Sequence, residues 1–166
     1  KIQLCNIDKD KTWYTVSMNI VLTTEQFNKD KIYFTDPIEN IVMDDSKFIK
    51  ILYSNELITL NGIFIDVKLK ILHRENYFKK IKYLFDTGIN KDILYQIYNI
   101  ENNILNHYKC NKRKKTIIKD SLSSGLMKIF PNSENTNYSS NIFILKISGL
   151  WENATEYGVT YKISIS

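Results

Sequence analysis

Residues 56–72, ELITLNGIFIDVKLKIL, decide how this chain folds. After the Asn61-Gly62 pair, Ile63, Ile65, Val67, Leu69 and Ile71 fall on one side of an extended backbone, and Phe64, Asp66, Lys68 and Lys70 on the other. A period of two with one apolar side is the pattern of a strand that buries one face. Asn-Gly accepts positive φ at both central turn positions, so the pair predicts a hairpin turn at this point.

Upstream, KFIKILYS (47–54) reads as a strand that reaches 56–72 through a tight connection at Asn55, and KIYFTDP (31–37) as a short strand stopped by Pro37. WYTVSMNIVL (13–22) alternates Tyr14, Val16, Met18 and Ile20 against Trp13, Thr15, Ser17 and Asn19. From Lys91 the period changes. Ile93, Ile97, Ile100 and Ile104, flanked by Leu94, Leu105 and Tyr108, recur every three or four residues as on one face of a helix, with Asn90 as N-cap and Asp92 in the first turn. The helix is expected to end before KCNKRKK (109–115). A polar loop, PNSENTNYSSN (131–141), then leads to strands NIFILKIS (141–148) and YGVTYKISIS (157–166) around a turn at Trp151. The order predicts a mainly β protein with one long helix. An OB-like five-stranded barrel, which places its helix between the third and fourth strands, fits it, and an α+β sandwich is the alternative. One OB-like domain over 1–166, trimmed from a slightly longer chain, is the expectation.

The 166 residues carry 23 Lys and Arg against 18 Asp and Glu, a net charge of +5 that suits a polyanionic partner. Cys5 and Cys110 match no metal or redox spacing, which favours a reducing compartment, and no stretch has the apolar length of a membrane span. LFDTG (84–88) resembles half of an aspartic protease site, but that chemistry needs a second aspartate, so the segment reads as a turn into the helix. His73 and His107 have no ligand-spaced neighbours, SLSSG (121–125) lacks a nucleophile-elbow pattern, and Asp44-Asp45 reads as a solvated turn. The expectation is a non-enzyme with no cofactor and no metal.

Two features point to nucleic acid. One is the basic run Lys109, Lys112, Arg113, Lys114 and Lys115. The other is strand parity, which puts Trp13, Phe64, Lys68, Lys70, Lys146 and Lys162 on non-core faces, with Lys50 adding charge and Trp151 free of the parity argument. Rings interleaved with amines let bases stack while ammonium groups follow phosphates. The expected nucleic-acid-binding set is therefore Trp13, Lys50, Phe64, Lys68, Lys70, Lys112, Arg113, Lys114, Lys115, Lys146, Trp151 and Lys162. Tyr157 and Tyr161 fall with Val159, Ile163 and Ile165, as core residues do.

FILKISGLWENATEYGVTYKIS (143–164) and SKFIKILYSNELITLNGIFI (46–65) resemble segments of small proteins from nucleocytoplasmic large DNA viruses of mimivirus and chlorovirus type. The closing strand, tryptophan turn and strand are also similar to the last OB hairpin of podophage-type single-stranded DNA-binding proteins. The resemblance implies an OB fold and non-enzymatic binding of single-stranded DNA in replication or recombination. It further implies viral replication proteins as partners, contacted by an acidic tail that would lie beyond Ser166. The expected setting is the host cytoplasm, at a viral factory, or the virion, with a homodimer allowed and no membrane. The alternative is a virion or assembly component that works through protein contacts.

Overall fold

The computed structural model describes residues 2–4, 18–130 and 141–166. Cys5, Trp13 and the polar run 131–140 lie outside the described residues. In chain order the strands are β1 (Ile2–Leu4), β2 (Met18–Ile20), β3 (Ile32–Phe34), β4 (Ile38–Glu39), β5 (Lys47–Ser54), β6 (Thr59–Asn61), β7 (Ile63–Lys68), β8 (Ile71–Tyr77) and β9 (Lys80–Phe85). Helix α1 (Lys91–His107) follows, then β10 (Arg113–Lys115), α2 (Ile117–Leu122), β11 (Leu126–Ile129), β12 (Ile142–Glu152) and β13 (Glu156–Ile165). The fold is mainly β with one long helix, and its large sheet is a half-barrel.

The β12–β13 hairpin is the spine of that sheet. Its turn is closed by Asn153, whose Oδ1 accepts hydrogen bonds from the Thr155 and Glu156 amides at 2.9 and 2.8 Å. Along the other edge of β12, two strands lie end to end: Lys47–Lys50 of β5 pairs with Glu152–Gly149, and β7 pairs with Ile147–Ile142. Between them the chain makes an excursion. Residues 51–54 of β5 leave the spine, turn at Asn55, and return as β6, with β3 on the excursion's other side.

This geometry corrects the reading of Asn61-Gly62. The hairpin turn lies at 55–58, where Asn55 Oδ1 accepts from the Leu57 and Ile58 amides, both at 2.9 Å. Gly62 is instead the corner at which the chain leaves β5 and joins β12. Its φ is +96°, and a Cβ there would sit 2.7 Å from the Ile147 carbonyl oxygen, so both backbone conformation and space require glycine.

Ile63, Ile65, Val67 and Leu69 are buried as the alternation requires, joined by Ile49, Ile51, Phe143, Leu145, Ile147 and Leu150. Two elements cover this inner face. One is α1, through Leu94, Ile97, Ile100, Ile104 and Leu105; the other is a three-stranded antiparallel sheet in the order β11-β9-β8, through Ile81, Tyr83, Phe85, Met127 and Ile129. The Tyr83 and Phe143 rings meet edge to face at 5.1 Å between centroids. Among the described residues, no ladder joins this small sheet to the large one.

Two polar side chains fasten the helices. Asn90 does not cap α1 with its side chain, as the sequence suggests. It takes the place of a strand partner for Lys70, accepting from its amide at 2.8 Å and donating to its carbonyl at 3.1 Å. Glu101, fully buried on α1, accepts from the Ile118 and Lys119 amides at 2.8 and 3.0 Å and so supplies the first turn of α2 with its acceptor. Burial raises its carboxyl pKa against the opposing pull of those amides.

Candidate nucleic-acid interface

On the outer face of the large sheet the expected amines are present, but of the expected rings among the described residues Phe64 and Trp151 are covered. Lys50, Lys68 and Lys162 are exposed; Lys146 is half-buried beside Lys162 in the ladder, its ammonium 5.1 Å from the centre of the Phe64 ring. Phe64 itself is only 9% exposed and Trp151 only 8%, so neither is a platform for a base. Trp151 lies across Gly158, where a Cβ would meet its indole at 3.0 Å, and Ile117 of α2 closes on the same spot. Lys70 has an exposed side chain near neither ring, and its backbone is held by Asn90.

The basic run is a strand, and strand parity divides it. Arg113 and Lys115 both engage Glu156, with Arg113 Nε at 2.9 Å and Lys115 Nζ at 3.6 Å. Lys112 pairs with Glu152 at 3.5 Å, and Lys114 donates to Asn106. The hydrogen bond from Arg113 holds the Glu156 carboxyl below the usual carboxylate range. Glu152 also accepts from the Tyr108 hydroxyl at 3.2 Å, and burial, reinforced by that carboxylate, pushes the Tyr108 pKa up to about 12. Two carboxylates thus offset two of the run's five charges, which the sequence conceals because Glu152 and Glu156 lie far downstream.

The arrangement of rings and amines anticipated for the large sheet occurs on the small one. Register pairs Tyr77 with Lys80, Glu75 with Lys82, and Lys82 in turn with Lys128, on the face turned away from the core. Phe130, one step beyond β11 with the parity of Lys128, is 56% exposed under the Lys80 ammonium, 4.4 Å from the ring centre. Lys82 bonds Glu75 at 2.7 Å, holding that carboxyl below its usual range, and lies 3.7 Å from the centre of the Tyr77 ring. At the hairpin tip Phe78 is 92% exposed, with Lys79 beside it. Lys79, Lys80 and Lys128 have no ion pair among the described residues. The face therefore offers three exposed rings, Tyr77 and Phe130 each with one face under a lysine ammonium, and three amines without an ion pair among the described residues.

None of these six residues is in the sequence-derived set. The signal for β9 and β11 was present: KIKYLF (80–85) and LMKIF (126–130) each alternate between core and solvent. The hairpin joining β8 to β9 had no such signal, because its turn is Phe78-Lys79, with no glycine or asparagine.

A second feature is an apolar groove of about 600 Å³ lined by Phe48, Trp151 and Thr160 together with Ile38, Ile41 and Met43. Elsewhere, Asp86 of the LFDTG segment accepts from the Gly88 and Ile89 amides at 2.7 and 2.9 Å, which builds the turn into α1. The described residues hold no cluster of three metal-ligating side chains, and no helix among them is long and apolar enough to cross a membrane. Comparison with protein-family models, with curated proteins and with solved structures yields no match to this chain.

Proposed function

We propose that this protein binds single-stranded nucleic acid without catalysis, through the solvent face of the small sheet, with single-stranded DNA as its ligand. The observation that carries the reading is the juxtaposition of Tyr77, Phe78 and Phe130 with Lys79, Lys80 and Lys128 on one open surface. Exposed rings are costly to leave in water, and bases stacked on them recover roughly 1–3 kcal/mol each while amines take the phosphates. Lys50, Lys68, Lys146 and Lys162 lie on the outer face of the large sheet, away from this surface, and are not part of the proposed site. The OB-like kinship rests on element order, strands then α1 then the closing β12–β13 hairpin, and the viral replication setting rests on the resemblance alone. Titrating labelled oligo-dT by anisotropy at two salt concentrations tests the reading. Micromolar or tighter binding is expected, with log Kd rising by about 0.7 per phosphate contact for each tenfold rise in salt. No binding at low salt would remove it.

The groove favours a second reading, self-association. Ile41 is 99% exposed at the lining of the apolar groove that Phe48 and Trp151 share. A knob beside a hole on one patch is self-complementary, as a two-fold pair requires, so the occupant on this reading is a second copy of the chain. Light scattering is expected to show a dimer that Ile41→Asp reduces to a monomer. A wild-type chain that stays monomeric at high concentration would exclude it.

A further inference from the structure

We infer that the Tyr77–Phe78 pair at the tip of the β8–β9 hairpin holds a sharply bent, unstacked strand, and that Phe78 sets the preference for poorly stacking bases. This deepens the proposed function and rests on it. The two ring centroids are 4.9 Å apart and the ring planes meet at 87°. A base stacked on either ring lies parallel to it, so bases held by both stand nearly at right angles. Neighbouring bases in a duplex, or in a well-stacked single strand, are parallel. Only a strand whose stacking is cheap to break can use both rings, which excludes intact duplex and favours thymine over adenine runs.

The backbone carries the second line of evidence. Phe78 has φ +53° in a two-residue turn whose other central residue, Lys79, has no positive φ. That position ordinarily takes glycine, since a bulky side chain there is strained. A phenylalanine placed against local preference, with its ring 92% in solvent, gains little from the fold in return. Strain of this kind collects at ligand-contacting positions. The Tyr77 ring is its one aromatic contact among the described residues.

The test compares wild type, Phe78→Gly and Phe78→Leu against labelled oligo-dT, oligo-dA of equal length, and the dT·dA duplex. Wild type is expected to bind oligo-dT about tenfold more tightly than oligo-dA and to ignore the duplex. Phe78→Gly is expected to melt about 2–4 °C higher, because the left-handed strain is relieved, while losing about tenfold in oligo-dT affinity and most of the base preference. Phe78→Leu retains the strain and an apolar side chain but no ring, so its Tm should stay near wild type while its affinity falls like that of the glycine variant. A Phe78→Gly protein that melts lower than wild type, or that keeps both affinity and base preference, overturns the inference while leaving the binding function standing. Absence of oligonucleotide binding in the wild type overturns both.

Discussion

Gly149→Ala is expected to lower stability by about 3 kcal/mol, one of the largest losses any single methyl group can cause in this molecule. A Cβ at this position would lie 2.4 Å from the Ile49 carbonyl oxygen and 2.6 Å from two atoms of the Phe48 ring. The carbonyl belongs to the backbone of β5 and cannot rotate away. The ring lies against the glycine in the lining of the groove, so its displacement would expose apolar surface. Gly149 also follows the register shift at Ser148, where β12 passes from β7 to β5. Strain there is felt by both strands. Gly88→Ala is the control: its added methyl would meet a single atom, Asp86 Oδ1 at 3.1 Å, at a backbone conformation open to alanine. Urea unfolding should show the Gly149 midpoint falling by about 1.5–2 M and the Gly88 midpoint hardly moving. Equal midpoints would mean that the β5–β12 contact is not the tight junction described.

The parts of the fold legible in the sequence are those where one residue's environment follows from its immediate neighbours. Strand β5 coincides with KFIKILYS, and α1 begins at Lys91 where the period changes, because burial of one face imposes a period that no other structure satisfies. What could not be read depends on distant partners. Asn61-Gly62 has the chemistry of a hairpin turn, yet whether the chain folds back or continues depends on β12, some eighty residues away, offering a free edge. Asn90 looks like a cap until the Lys70 amide and carbonyl are brought within its reach. The candidate site was hidden in the same way. The expectation that rings and amines share an open face was placed on the large sheet, whereas exposed rings beside amines occur on the small one. Phe64 and Trp151 are covered by contacts with no local signature, whereas Tyr77, Phe78 and Phe130 remain open. A turn that violates its own residue preferences also conceals the hairpin carrying two of those rings.

The competing placements of the binding surface are separated by two triple substitutions that remove equal charge. Lys79, Lys80 and Lys128 changed together to glutamine should weaken oligo-dT binding roughly 10²–10³-fold at about 50 mM salt, since each lost phosphate contact forgoes the release of about 0.7 counterion. The slope of log Kd against log salt should fall by about 2 for the same reason. Lys112, Arg113 and Lys115 changed together to glutamine lower the net charge by the same amount. Two of their three charges, however, are already balanced by Glu152 and Glu156, so affinity should change by less than about threefold, the small effect expected of distant, screened charges. The second triple should instead cost stability, because Glu152 and Glu156, both largely shielded from water, lose their partners. The reverse ranking in binding would return the interface to the basic run on β10, and the exposed rings of the small sheet would then need another explanation.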